Sequence, residues 1–101
     1  MRARFSEAAA EDLREARAFT LSKFGRQARK GLNDEIRRAV SLLRERPFAG
    51  KSAGKTAREY VIDVYPYSLI YYIAENEVVI SAVYHHSRDP TFWHDRFGRE
   101  L

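Results

Sequence analysis

The chain changes texture once, near residue 58, and that break restricts the folds open to it. Before it, apolar side chains recur at helical spacing. After it come three runs rich in Val, Ile and Tyr: Arg58–Tyr65, Tyr67–Glu75 and Glu77–His85. Helices grouped ahead of strands argue for an α+β fold rather than a doubly wound sheet. At 101 residues the chain reads as a single domain, 1–101.

The elements follow from local chemistry. Arg2-Ala3-Arg4-Phe5 alternates in polarity and predicts a short N-terminal strand. Ser6 offers a side-chain oxygen to cap a helix, with Glu7 and Glu11 near the positive end of its dipole. Glu7–Phe24 is built from strong helix formers, with Ala9, Leu13, Ala16 and Thr20 on one narrow face; Gly25 stops it. A second helix runs from about Arg26 to Arg46, with Ala28, Leu32, Ile36, Ala39, Val40 and Leu43 on one face. Gly31 weakens it by about 1 kcal/mol relative to Ala, and Pro47 ends it. The short link predicts an antiparallel helix hairpin.

Residues 47–57 read as a loop of small residues. Pro66 and the turn signal Glu75-Asn76-Glu77 divide the rest into a three-stranded antiparallel meander. Leu69, Tyr71 and Ile73 alternate with Ile70 and Tyr72, so both faces of the sheet are apolar. One face should pack on the hairpin; the other requires a second cover or a partner. Asp89-Pro90-Thr91 starts a short C-terminal helix holding Phe92, Trp93 and Phe97.

Composition narrows the function. There is no cysteine, which excludes disulfides and thiolate metal sites and fits a reducing cytoplasm. The N-terminus is charged from its second residue and lacks the apolar stretch of a signal peptide; no run approaches the length of a membrane helix. Residues 1–58 hold 15 Lys/Arg and 7 Asp/Glu, whereas residues 59–101 hold 3 and 7. A basic half calls for an acidic partner, either nucleic acid or polypeptide, or else reflects solvated helix faces.

The ordered set of Arg4-Phe5-Ser6, Ala10-Glu11-Asp12-Leu13, Phe24-Gly25, Pro47, Gly50, Tyr67-Ser68-Leu69-Ile70-Tyr71-Tyr72, Val78-Val79-Ile80, Val83-Tyr84-His85 and Arg88-Asp89 resembles the RelE/ParE toxins, closer to ParE. No one motif is specific; their order is, and the likeness covers nearly the whole chain. It implies a toxin of a type II toxin–antitoxin system, neutralised by a cognate antitoxin, ParD-like or similar, in a hetero-oligomer. RelE-like members cleave messenger RNA on the ribosome. ParE-like members act against DNA gyrase and show no recognised nuclease site, which implies a binding toxin rather than an enzyme.

Individual residues separate the two activities. The strand arginine of RelE-like toxins corresponds to Ser68, which carries no charge to stabilise a phosphate. The candidates for RNA cleavage are His85 as general acid or base, Arg88 on the phosphate and Tyr84 nearby. The structural alternative makes His85 a strand terminus and His86 a solvated loop residue, pointing oppositely. With no cysteine and only His94 besides, no metal site and no cofactor are expected. Arg88-Asp89 reads equally as a local ion pair or a binding contact. Gly54-Lys55-Thr56 ends like a phosphate-binding loop, but position 49 is Ala where Gly is required. Target or antitoxin contacts are expected at Arg29, Arg37, Arg38, Arg44, Tyr72, His86 and Trp93, although Trp93 and Phe92 also suit a sheet cover.

Overall fold

The computed structural model describes the backbone of residues 1–100 and the side chains of residues 1–96. Its elements are β1 (Arg2–Phe5), α1 (Glu7–Phe24), α2 (Arg26–Glu45), β2 (Lys51–Ser52), β3 (Arg58–Ile62), β4 (Tyr67–Ala74), β5 (Glu77–His85) and α3 (Thr91–Glu100). The meander is present but is not the whole sheet. The strand order is β1-β5-β4-β3-β2. β1 pairs parallel with β5, the other contacts being antiparallel. A parallel pair requires a long crossover, and the chain from α1 through β4 supplies it. The loop after α2 adds a strand the sequence did not announce, β2, on Arg58 and Glu59.

Local chemistry sets the boundaries. The Ser6 hydroxyl accepts the Ala9 N–H at 3.1 Å, while the Ser6 N–H donates to the Ile80 carbonyl at 2.9 Å. One residue therefore ends β1 and starts α1. Gly25 alone joins the two helices, with φ +94°, a conformation costly for a residue with a Cβ. Gly31 is explained by space: a Cβ there would run into the Tyr65 hydroxyl. The helix gives up propensity so that Tyr65 can seat the β3–β4 turn on α2. The β4–β5 turn has positive φ at both Glu75 and Asn76, 52° and 62°, as a type I′ hairpin requires.

The main core lies between the hairpin and one sheet face. Leu13, Leu32, Ile36 and Leu43 pack against Leu69, Tyr71, Val78 and Ile80. The opposite face, expected to need a cover or partner, is covered by the chain itself. Trp93 of α3 and Ala57 pack on Ile70 and Ala82, with Phe92, Tyr72 and Tyr84 at the margin. Trp93 is 4% exposed. The Phe97 side chain lies outside the described residues.

Where β1 stops, side chains complete the sheet. The register slips between Ile70/Ala82 and Tyr71/Ile80, leaving Ser81 as a bulge. β1 ends opposite Ile80, so no strand flanks β5 beyond it among the described residues. There the Asp12 carboxylate of α1 accepts the Val83 N–H at 3.0 Å. Arg96 of α3 reaches around the edge, donating to both Asp12 oxygens (2.6 and 2.9 Å) and to the Ser81 carbonyl (2.8 Å).

Candidate functional site

The candidate nuclease residues gather where β5 ends, but on two sides of the sheet. His85 faces the hairpin, edge-on to Tyr67 at 5.0 Å and to Phe19 at 5.7 Å between centroids. Its Nδ1 accepts the Ser87 N–H at 3.1 Å, which places the proton of the neutral ring on Nε2. His86 turns the other way: its Nε2 lies 2.8 Å from the Ser68 hydroxyl, and its ring meets Tyr84 edge-on. The two histidines therefore diverge, as their adjacency predicts.

His85 and Arg88 line one cavity of about 400 Å³, with Asp12, Glu15, Phe19 and Tyr67 among its walls. Tyr84 does not join them. Its hydroxyl donates to the Arg88 carbonyl at 2.8 Å, and its ring packs beside Phe92 and Trp93 on the other face. The cavity is lined by one imidazole, by Arg88, whose guanidinium turns away onto Phe92, and by two carboxylates, of which that of Asp12 is bound by Arg96. A phosphodiester entering it would meet the Glu15 carboxylate, while the Arg88 guanidinium lies over Phe92, so the electrostatics do not favour a polyanion. Ser68 is fully buried and hydrogen-bonded to His86, on the side of the sheet away from this cavity.

Arg88 and Asp89 act separately. The Arg88 guanidinium lies over the Phe92 ring, 4.2 Å from its centroid. Asp89 accepts the Thr91 N–H at 3.0 Å and opens α3. Hydrogen bonds from the Thr91 backbone and then its side chain hold the Asp89 carboxyl below its ordinary 3.8, with the nearby His94 adding to the effect. A depressed carboxylate pKa stabilises the fold above the unfolded value and ceases to do so as pH falls through the folded one. The start of α3 should therefore loosen only below about pH 3.8. Trp93 emission followed through an acid titration, with Asp89→Asn as the variant lacking the transition, checks this.

The basic residues of α2 also divide. Arg37 pairs with Asp34 at 3.2 Å and Arg38 with Glu35 at 2.6 Å. The Arg44 Nε donates to the Met1 carbonyl at 3.3 Å, and Arg29 sits half-buried in the first turn. Arg37 and Arg44, with Arg17, rim a groove of about 390 Å³ floored by Phe5, Ile36 and Val40. Arg38 lines a different groove, between α2 and β3. Surface pairs of this kind contribute about 0–1 kcal/mol each, so a partner's carboxylates can replace the local ones at little cost. Tyr72 is half-buried at the margin of the outer cluster, and Trp93 lies within it.

The pairing of Asp12 with Arg96 escaped the reading of the sequence. The available signal was an acid at position 12 within the Ala9, Leu13, Ala16 stripe, where an apolar residue is the norm. No helix among the described residues is long and apolar enough to cross a membrane.

Comparison with known proteins converges on one group. Among solved structures, the chain is similar to a chain of the chromosomal ParDE toxin–antitoxin system of P. aeruginosa, at 19% identity and TM-score 0.74, covering 84% of this chain and 95% of that one. It is also similar to the isolated E. coli RelE toxin, at 20% identity and TM-score 0.57, covering 99% and 98%. These likenesses show a shared fold. No curated protein matches by sequence. The family model of the ParE toxin of the type II toxin–antitoxin system parDE matches residues 3–90. The chain belongs to the ParE toxin family of type II toxin–antitoxin systems.

Proposed function

We propose that this protein arrests bacterial growth by binding DNA gyrase, without a cofactor and without hydrolysing nucleic acid, and that a cognate ParD-like antitoxin holds it inactive. The observation that carries this reading is Ser68. The strand position that supplies a cation in RelE-like relatives is here a buried serine hydrogen-bonded to His86. The divergence of His85 from Tyr84 supports the same choice. Gyrase is a cytoplasmic target, so the protein acts there.

The antitoxin's acidic, amphipathic segment would find apolar floor and cationic rim together in the groove bordered by Arg37 and Arg44. Such a segment would order on binding. Arg29 and Arg38 extend the basic surface to either side of α2. Tyr72 and His86 lie on the outer side and are proposed as target contacts, with Trp93 supporting them from beneath.

One observation favours a second reading, a ribosome-dependent mRNA endonuclease: His85 and Arg88 share a cavity. The test of the first reading is supercoiling of relaxed plasmid by gyrase with the purified, folded protein in excess. Inhibition relieved by the antitoxin is expected; full supercoiling at high excess would count against it.

A further inference from the structure

We propose that α3 is a strap, latched by Arg96 onto Asp12, that opens as one unit to uncover the outer face of the sheet while the rest of the fold stays intact. The family pattern ends at residue 90, one residue before α3 begins. The face under the strap lies within the residues matched by the family model, whereas α3 follows them. Among the described residues α3 packs chiefly on β5. Its buried anchor is Trp93, with Phe92 half-buried beside it and His94 stacked outside on the indole at 3.8 Å.

The latch gives the strap its cooperativity. Arg96 reaches the opposite side of the sheet by passing over the edge that β1 leaves uncovered. Both of its bonds to Asp12 and its bond to Ser81 converge on this one guanidinium. Two-pronged pairing of this kind is strong and orientation-specific. Arg88 and Arg96 also lie over the Phe92 ring, at 4.2 and 5.1 Å from its centroid. When Arg96 leaves, Phe92 loses one of its two cations and Trp93 loses the tether that holds it on Ala82. The segment therefore comes away whole rather than fraying residue by residue. Its hinge is the turn at Ser87–Pro90, where Arg88 N–H donates to the His85 carbonyl and Asp89 opens the helix.

Trp93 is the only tryptophan in the chain, so its emission reports the strap alone. In the full-length protein, Arg96→Gln should redden that emission and increase its quenching by acrylamide. Amides of Phe92–Arg96 should exchange about tenfold faster, with those at the centres of β4 and β5 less affected. Arg96→Lys, which keeps the cation but not the fork, should fall between. Unchanged quenching and exchange in Arg96→Gln would overturn the proposal. Should that variant fail to fold, exchange of the unmodified protein across low denaturant concentrations decides. Amides of α3 exchanging through a smaller opening than those of β4 and β5 support the strap; exchange of both only through global unfolding refutes it.

Discussion

Asp12→Ala should lower the unfolding free energy by about 2–3 kcal/mol, from the lost charge-assisted bonds to Arg96 and the buried Val83 N–H left without its acceptor. Asp12 is 8% exposed and serves two groups at once. Its loss leaves Arg96 without its carboxylate and the Val83 N–H without its acceptor at an edge no strand covers. A domain of this size has only about 5–15 kcal/mol to lose, so the variant should stay folded with a large share of its stability gone. Asp12→Asn keeps an oxygen for the Val83 N–H but surrenders the charge, and should fall between. Urea denaturation of the three proteins measures both steps. Equal midpoints for Asp12→Ala and the parent would mean that the edge needs no such closure.

The second large effect is expected at Gly50. A Cβ there would lie 2.7 Å from the Tyr71 hydroxyl and 2.8 Å from the Glu59 carbonyl. Neither can yield easily. Tyr71 is fully buried at the centre of the sheet, and the carbonyl is strand backbone. The Tyr71 hydroxyl donates to the Pro47 carbonyl at 2.7 Å and accepts the Gly50 N–H at 2.9 Å, tying the exit of α2 to β4. Arg58 holds the same loop by donating to the Gly50 and Phe48 carbonyls. Gly50→Ala should therefore cost about 1–3 kcal/mol in overpacking, and about 1 kcal/mol more for each hydrogen bond it breaks. Gly54→Ala is the control: its nearest neighbour would be the Ala57 Cβ at 3.7 Å, an ordinary contact. Thermal unfolding should separate the two clearly, with Gly54→Ala near the parent.

The same two residues mark what the sequence could tell. Elements governed by neighbouring residues were legible: the Ser6 cap, the single-residue link at Gly25 and the Glu75-Asn76 turn all stand where local chemistry puts them. The α1 stripe was legible as well, because its period is set by the helix itself. What escaped depends on residues far apart in the chain. The parallel pairing of β1 with β5 joins positions about 75 apart, and the Asp12–Arg96 pair joins positions 84 apart. Gly31 read as a defect in α2 because the hydroxyl that requires it arrives from Tyr65. The apolar outer face left open a cover or a partner, and Trp93, which also suited a sheet cover, is that cover. For the candidate site, alternation along the strand foretold that His85 and His86 diverge. It did not disclose that Asp12 and Glu15 share the cavity of His85 and Arg88, since that depends on how α1 lies across β5.

The most direct test of the ParE-like reading sets the two toxic activities against each other on one preparation. Folded protein is added both to a gyrase supercoiling reaction and to ribosomes translating a defined message. The account predicts blocked supercoiling and intact message, with His85→Ala behaving as the parent in both. Codon-phased cleavage that disappears in His85→Ala, with supercoiling unaffected, would contradict it.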